Sequence, residues 1–71
     1  MTRAERETET AAGRLNELVE EALVLVAVRS SQRNDDLDVS ADRIERAARD
    51  LSVALRELAL ERRQREAEEE A

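Results

Sequence analysis

The sequence has no cysteine, histidine, proline or aromatic residue, and it has one glycine. Without cysteine, the chain forms neither a disulfide framework nor a thiolate zinc site. Without histidine, it lacks an imidazole base and the commonest protein ligand of transition metals. Without aromatic residues, it has no platform on which nucleic-acid bases stack. These absences remove most of the chemistry by which small domains catalyse reactions or hold cofactors.

Nucleophilic catalysis is disfavoured for a related reason. All twelve basic residues are arginines, and there is no lysine. No imidazole or amine is therefore present to activate Ser30, Ser31, Ser40 or Ser52. We predict that the protein is not an enzyme and uses no cofactor.

The length of the chain sets the next limit. Its 71 residues are enough for one domain. A domain of this size rarely gains more than about 3–5 kcal/mol from its core, and disulfides, metals or oligomerisation usually supply the rest. Since Cys and His are absent, the sequence predicts a homo-oligomer, a dimer or higher, with a larger protein partner as a further possibility.

The net charge of −6 disfavours non-specific binding to nucleic acid and to anionic membranes. The longest apolar run, residues 22–28, covers roughly 10 Å as a helix, whereas a bilayer core is about 30 Å thick. Residues 1–10 alternate acids and bases with no apolar block behind them, unlike a secretory signal. We therefore expect a cytoplasmic protein that does not bind membranes, and nucleic acid is disfavoured as a partner without being excluded.

Apolar residues at heptad spacing predict a first helix over about residues 3–33. Thr2 and Glu5 have the T-x-x-E spacing of a capping box that would begin it. Asn34 is suited to the left-handed position that would end it. The apolar stripe is formed by Leu15, Leu18, Val19, Ala22, Leu25 and Val26.

The run 22–28 has two possible structures. Its three valines, Val24, Val26 and Val28, would suit a buried strand. The helical pattern before the run and the absence of a turn signal favour a helix. Two turns that are apolar on every side need cover from two or three neighbouring helices.

A second helix is predicted over about residues 41–67, after an acidic linker at 34–39 and before an acidic tail at 66–71. Ser40 is the expected N-cap, and Val39 with Ile44 has the spacing of a hydrophobic staple. Because the connection is short, the two helices should form an antiparallel hairpin. We predict an all-α fold in which two hairpins build a four-helix bundle or a larger helical assembly. Its self-association core would contain Leu15, Leu18, Ala22, Leu25, Val26, Ile44, Leu51, Leu55 and Leu58.

The acidic linker also has the spacing of a calcium-binding loop. Oxygen-bearing side chains occupy the ligand positions of an EF-hand-like pattern. However, Val39 stands where the sharp turn of such a loop needs glycine. We therefore favour an acidic helix start and predict no metal site. The residues at the ligand positions are Asn34, Asp36, Asp38, Ser40, Asp42 and Glu45.

Arginines recur along the outer side of the second helix, with two apolar residues between them. A solvated face is one interpretation, because single exposed apolar residues are normal. A docking face for an acidic protein is a second, and a phosphate-binding face is a third. We expect a non-enzymatic interaction and oligomerisation module, with a nucleic-acid-binding regulator as the alternative. The candidate docking face is Arg46, Arg49, Val53, Arg56, Leu60 and Arg63.

Overall fold

A computed structural model describes residues 1–28 and 34–70 of the chain. Within these ranges the chain forms two α-helices, α1 over Arg3–Ala27 and α2 over Asn34–Glu70, and no strand. The helices pack against each other along a rod 61 Å long. The predicted all-α hairpin is confirmed. The last part of the predicted first helix, residues 29–33, lies outside the described ranges.

The start of α1 is fixed by local hydrogen bonds, as the sequence predicts. The Glu5 backbone N–H donates to Thr2 Oγ1 over 3.2 Å, and the Thr2 backbone N–H donates to Glu5 Oε1 over 3.1 Å. These two bonds satisfy donors that every helix N-terminus leaves without an intrahelical partner. The bond from the Thr2 backbone N–H stabilises the ionised carboxylate and lowers the pKa of Glu5 below its usual value, and the Thr2 hydroxyl and the nearby Arg62 act in the same direction.

The contact between the helices is built from small residues at heptad spacing. On α2 the buried positions are Ser40, Ala47 and Ala54, seven residues apart. On α1 they are Ala4 and Leu18, fourteen residues apart. Small side chains let two helix backbones approach closely, but each hides little apolar area. Half-buried side chains flank this seam: Leu15, Ala22, Leu25, Ile44, Leu51 and Leu58.

The connection between the helices differs from the prediction. Residues 34–39, expected as a linker, form the first turns of α2, and Val28 is extended (φ −88°, ψ 117°) where α1 was expected to continue. Asn34 begins α2 instead of ending α1, and no described residue has the positive φ of a left-handed helix end. The acidic block suits a helix start because Asp35 and Asp36 lie in the first turn, where the helix dipole stabilises negative charge.

The N-cap and staple predicted at Val39 and Ser40 are consequently wrong. Both residues lie inside α2, and Ser40 is buried against α1. The spacing of Leu37 and Ser40 continues the row of Ile44 and Ala47 toward the N-terminus, a signal that the acidic composition concealed. At its other end α2 runs to Glu70, three residues beyond the predicted end.

Replacing Ser40 by alanine should therefore leave the protein as stable as before or more stable. Alanine is favoured over serine in a helix interior by a few tenths of a kcal/mol, and Ser40 faces α1 in the same row as Ala47 and Ala54. An N-cap serine would instead cost about 0.5–2 kcal/mol on the same change. Thermal melts of the two proteins, followed by circular dichroism, show whether the substitution raises or lowers the stability. A lower melting temperature for Ser40→Ala would contradict the continuous α2.

Candidate functional site

A groove runs along one side of the hairpin, and its lining residues show which side of each helix faces the groove. It encloses about 620 Å³. Its floor is apolar and its walls are charged. On α1 its walls include Arg6 and Thr10, and on α2 they include Asp50, Val53 and Glu57. These residues define the groove side of each helix.

The opposite side of the hairpin is apolar along most of its length. Successive helical residues are about 100° apart, so Val19, Leu23 and Val26 lie about 80–140° round α1 from buried Leu18, in the sense away from the groove. Leu37 and Leu55 lie about 80° round α2 from buried Ala47, also away from the groove. We call this surface the apolar face. It consists of Ala12, Leu15, Val19, Leu23 and Val26 of α1, with Leu37, Ala41, Ile44, Ala48, Leu51, Leu55 and Leu58 of α2.

The large side chains of the apolar face are uncovered in the single hairpin. Leu23 is 65% exposed, Val26 70% and Leu55 49%. Val19 and Leu37 are also exposed, whereas Leu15, Ile44, Leu51 and Leu58 are half-buried at the edge of the seam. Contiguous exposure of this kind marks interaction surfaces, since monomeric proteins rarely leave large apolar patches open to water.

Charged side chains pair away from this face. Arg3 Nε lies 3.0 Å from Glu7 Oε1, and Arg65 Nη2 lies 3.0 Å from Glu61 Oε1. Both pairs lie on the seam or the groove side of their helices. Exposed pairs of this kind contribute about 0.3–0.5 kcal/mol each. They therefore mark a solvent-exposed side of each helix and add little to the stability of the fold.

The residues predicted as the self-association core divide into two groups. Leu18 is buried, and six others are half-buried beside the seam between α1 and α2. Val26 and Leu55 point outward and belong to the apolar face. Heptad spacing identified the stripe, but it did not separate the residues that α1 and α2 cover for each other from those that remain open.

The apolar run is helical over residues 22–27, so the strand alternative is wrong for this part of the chain. The hairpin alone does not surround it. Leu23 and Val26 lie on the apolar face, while Val24, 65% exposed, lies on the groove side. The described part of the hairpin near the connection, which we call the tip, therefore exposes apolar residues on both sides, beside the acidic first turns of α2.

The candidate docking face is solvent-exposed along α2. Val53 and Leu60 are 47% and 54% exposed, and the four arginines of the set are exposed as well. By helical rotation these residues point toward the groove side or away from α1. The docking face is thus separate from the apolar face, and both are open in the single hairpin.

The residues of the EF-hand-like pattern all lie on α2, so they do not form the loop that calcium coordination requires. In residues 1–28 and 34–70, no three acidic side chains are grouped closely enough to hold a metal ion. Neither described helix carries an apolar stretch long enough to cross a bilayer.

Known protein families, curated proteins and solved structures provide no match to this chain.

Proposed function

We propose that this protein is a non-enzymatic interaction module that self-associates through the apolar face, two hairpins forming a four-helix bundle. The observation that carries the proposal is the continuous apolar surface on the side opposite the groove, with Leu23, Val26 and Leu55 about half or more exposed. Each helix is apolar both at the seam and on the apolar face. A second pair of helices stabilises such a hairpin by covering the apolar face. The cytoplasm, expected from the sequence, is the compartment in this proposal.

The accessible surface of the hairpin supports the same conclusion. A compact monomer of 8.0 kDa should expose about 4,500 Å², whereas the hairpin exposes 5948 Å². The excess is about 1,500 Å² per chain, and a standard protein interface hides about 800 Å² per partner. An interface that hid this excess on both copies would lie within the range of obligate homodimers.

Not every exposed apolar residue belongs to that interface. Val24 and Val39 near the tip, with Val53 and Leu60 farther along α2, lie outside the apolar face and are 65%, 47%, 47% and 54% exposed. After dimerisation they would still face solvent. This second set of apolar residues, beside exposed arginines, supports a larger protein partner as a further ligand of the module.

Nucleic-acid binding is the second candidate, because four arginines are exposed along one side of α2. Arginine forms bidentate bonds with phosphate. Against it stand the net charge of −6 and the absence of aromatic residues. A gel-shift assay at low and moderate salt separates the candidates, since phosphate binding weakens steeply as salt rises.

Sedimentation equilibrium at tens of micromolar protein tests self-association directly. We expect a mass of at least twice 8.0 kDa, and a mass that falls on dilution as the dimer dissociates. Detection must use peptide absorbance, because the chain has no aromatic residue. A folded, cooperatively melting monomer at this concentration would overturn the proposal.

A further inference from the structure

The apolar face changes in character along its length. Near the tip it carries Leu23 and Val26 of α1 with Leu37 of α2, all exposed. At the opposite, open end of the hairpin the same side carries Glu5 of α1 and Arg62 of α2. An apolar end and a charged end on one surface constrain how a second copy can be placed on it.

Two twofold arrangements bring the apolar faces of two hairpins together. In the same-ended arrangement the tips coincide, and α2 of each copy packs against α1 of its partner. In the opposite-ended arrangement the tips lie apart, and like helices pack against each other in reverse direction. Neighbouring helices are antiparallel in both, so helix dipoles do not distinguish them.

The two ends of the face do distinguish them. When the tips lie apart, Val26 packs near the partner's Glu5, and Leu37 packs near the partner's Arg62. Each contact removes water from a charged group and brings it no opposite charge from the partner. When the tips coincide, Val26 meets the partner's Leu37, and Glu5 meets the partner's Arg62. The same-ended arrangement therefore pairs apolar with apolar and acid with base.

Side-chain size agrees with this arrangement. Toward the tip, α1 presents the larger residues Val19 and Leu23, and the partner's α2 presents Ala48 and Ala41 at the same levels. Toward the open end, α1 presents the small residue Ala12, and the partner's α2 presents Leu55. Large side chains thus oppose small ones at these three levels, which is how helix surfaces interdigitate at native packing density.

Charged residues at the outer edges do not decide the question. The same-ended arrangement brings Arg56 near the partner's Glu9 and Glu20 near the partner's Glu45. The opposite-ended one brings Glu45 near the partner's Arg56 and Glu9 near the partner's Glu20. Each contains favourable and unfavourable contacts, and exposed ion pairs contribute little in either case.

We infer that a second copy of this chain occupies the apolar face in the same-ended arrangement, with both tips at one end of the four-helix bundle. This inference rests on the proposed function. It places the exposed valines and leucines of two tips, including Val24 on the groove side, at one end of the assembly, and the acidic C-terminal turns of both copies at the other.

Spin-label distances test the arrangement. The chain has no native cysteine, so Asp38→Cys and Arg49→Cys each introduce one label site. Both positions are exposed on α2, turned away from α1, and outside the apolar face. Asp38 lies near the tip and Arg49 near the middle of the hairpin, which makes the two variants a matched pair that differs in axial position.

Pulsed electron paramagnetic resonance on each labelled dimer should give similar intermolecular distances for the two variants. In the opposite-ended arrangement the Asp38 labels would be separated by roughly 35 Å along the axis, while the Arg49 labels stay at one level. A much longer Asp38 distance in a confirmed dimer would overturn the same-ended arrangement alone. Monomeric mass with no dipolar signal from either variant would overturn the proposed function as well.

Discussion

Leu55→Asp should convert the protein to a monomer, whereas Val53→Asp should leave the oligomer intact. The two side chains are matched in the single hairpin, at 49% and 47% exposed, and they lie two residues apart on α2. They differ in direction, because Leu55 lies on the apolar face and Val53 on the groove side. A carboxylate buried without a partner costs about 3–5 kcal/mol, and a twofold interface contains the change twice.

Sedimentation equilibrium and circular dichroism of both variants check this expectation. Leu55→Asp should show monomer mass and reduced helicity, because the hairpin by itself has little buried area. Val53→Asp should match the unchanged protein in both measurements. If Val53→Asp dissociates and Leu55→Asp does not, then the interface lies on the groove side. If neither dissociates, self-association through α2 at this level is wrong.

Leu18→Ala should unfold the protein or lower its melting temperature drastically. Leu18 is 2% exposed and is the one large side chain that is buried among the described residues. Leucine-to-alanine changes at closed sites cost about 2–5 kcal/mol. That range equals the stability that a core of this size usually supplies, about 3–5 kcal/mol.

Leu60→Ala provides the control for this change. It removes the same atoms from a side chain that is 54% exposed and lies outside the apolar face. Surface substitutions of this kind usually alter stability by less than about 0.5 kcal/mol. Thermal melts followed by circular dichroism should therefore separate the two variants widely. Equal melting temperatures would mean that Leu18 does not anchor the packing of α1 on α2.

The parts of the fold that depend on local sequence were predictable. The Thr2–Glu5 capping box needs three residues of chain and no tertiary contact, and it forms as predicted. The heptad row through Ile44, Ala47 and Leu51 also follows from helical periodicity. The linker predicted at 34–39 is wrong because aspartates suit both a linker and the first turn of a helix. The spacing of Leu37 and Ser40, in contrast, fits a helix alone.

The candidate site was only partly predictable, for a different physical reason. Periodicity predicts which residues share a stripe on one helix. Which side of that helix remains exposed to solvent depends on how the second helix packs against it. Val53 and Leu55 illustrate this limit. Both are apolar and about half exposed, and only the groove that joins Val53 to Arg6 and Thr10 shows that they lie on opposite sides of the hairpin.

The small-residue seam has a consequence for how this sequence can drift over evolutionary time. Ala47 and Ala54 are each 6% exposed at the seam, and a larger side chain that overpacks such a contact costs about 1–3 kcal/mol. The exposed residues outside the apolar face, such as Val53 and Leu60, have space to exchange with others. The seam alanines, the residues with the least chemistry of their own, are therefore constrained together with Leu18. Relatives of this hairpin should therefore share the seven-residue repeat of small side chains and a large apolar residue at the position of Leu18, even where the arginines differ.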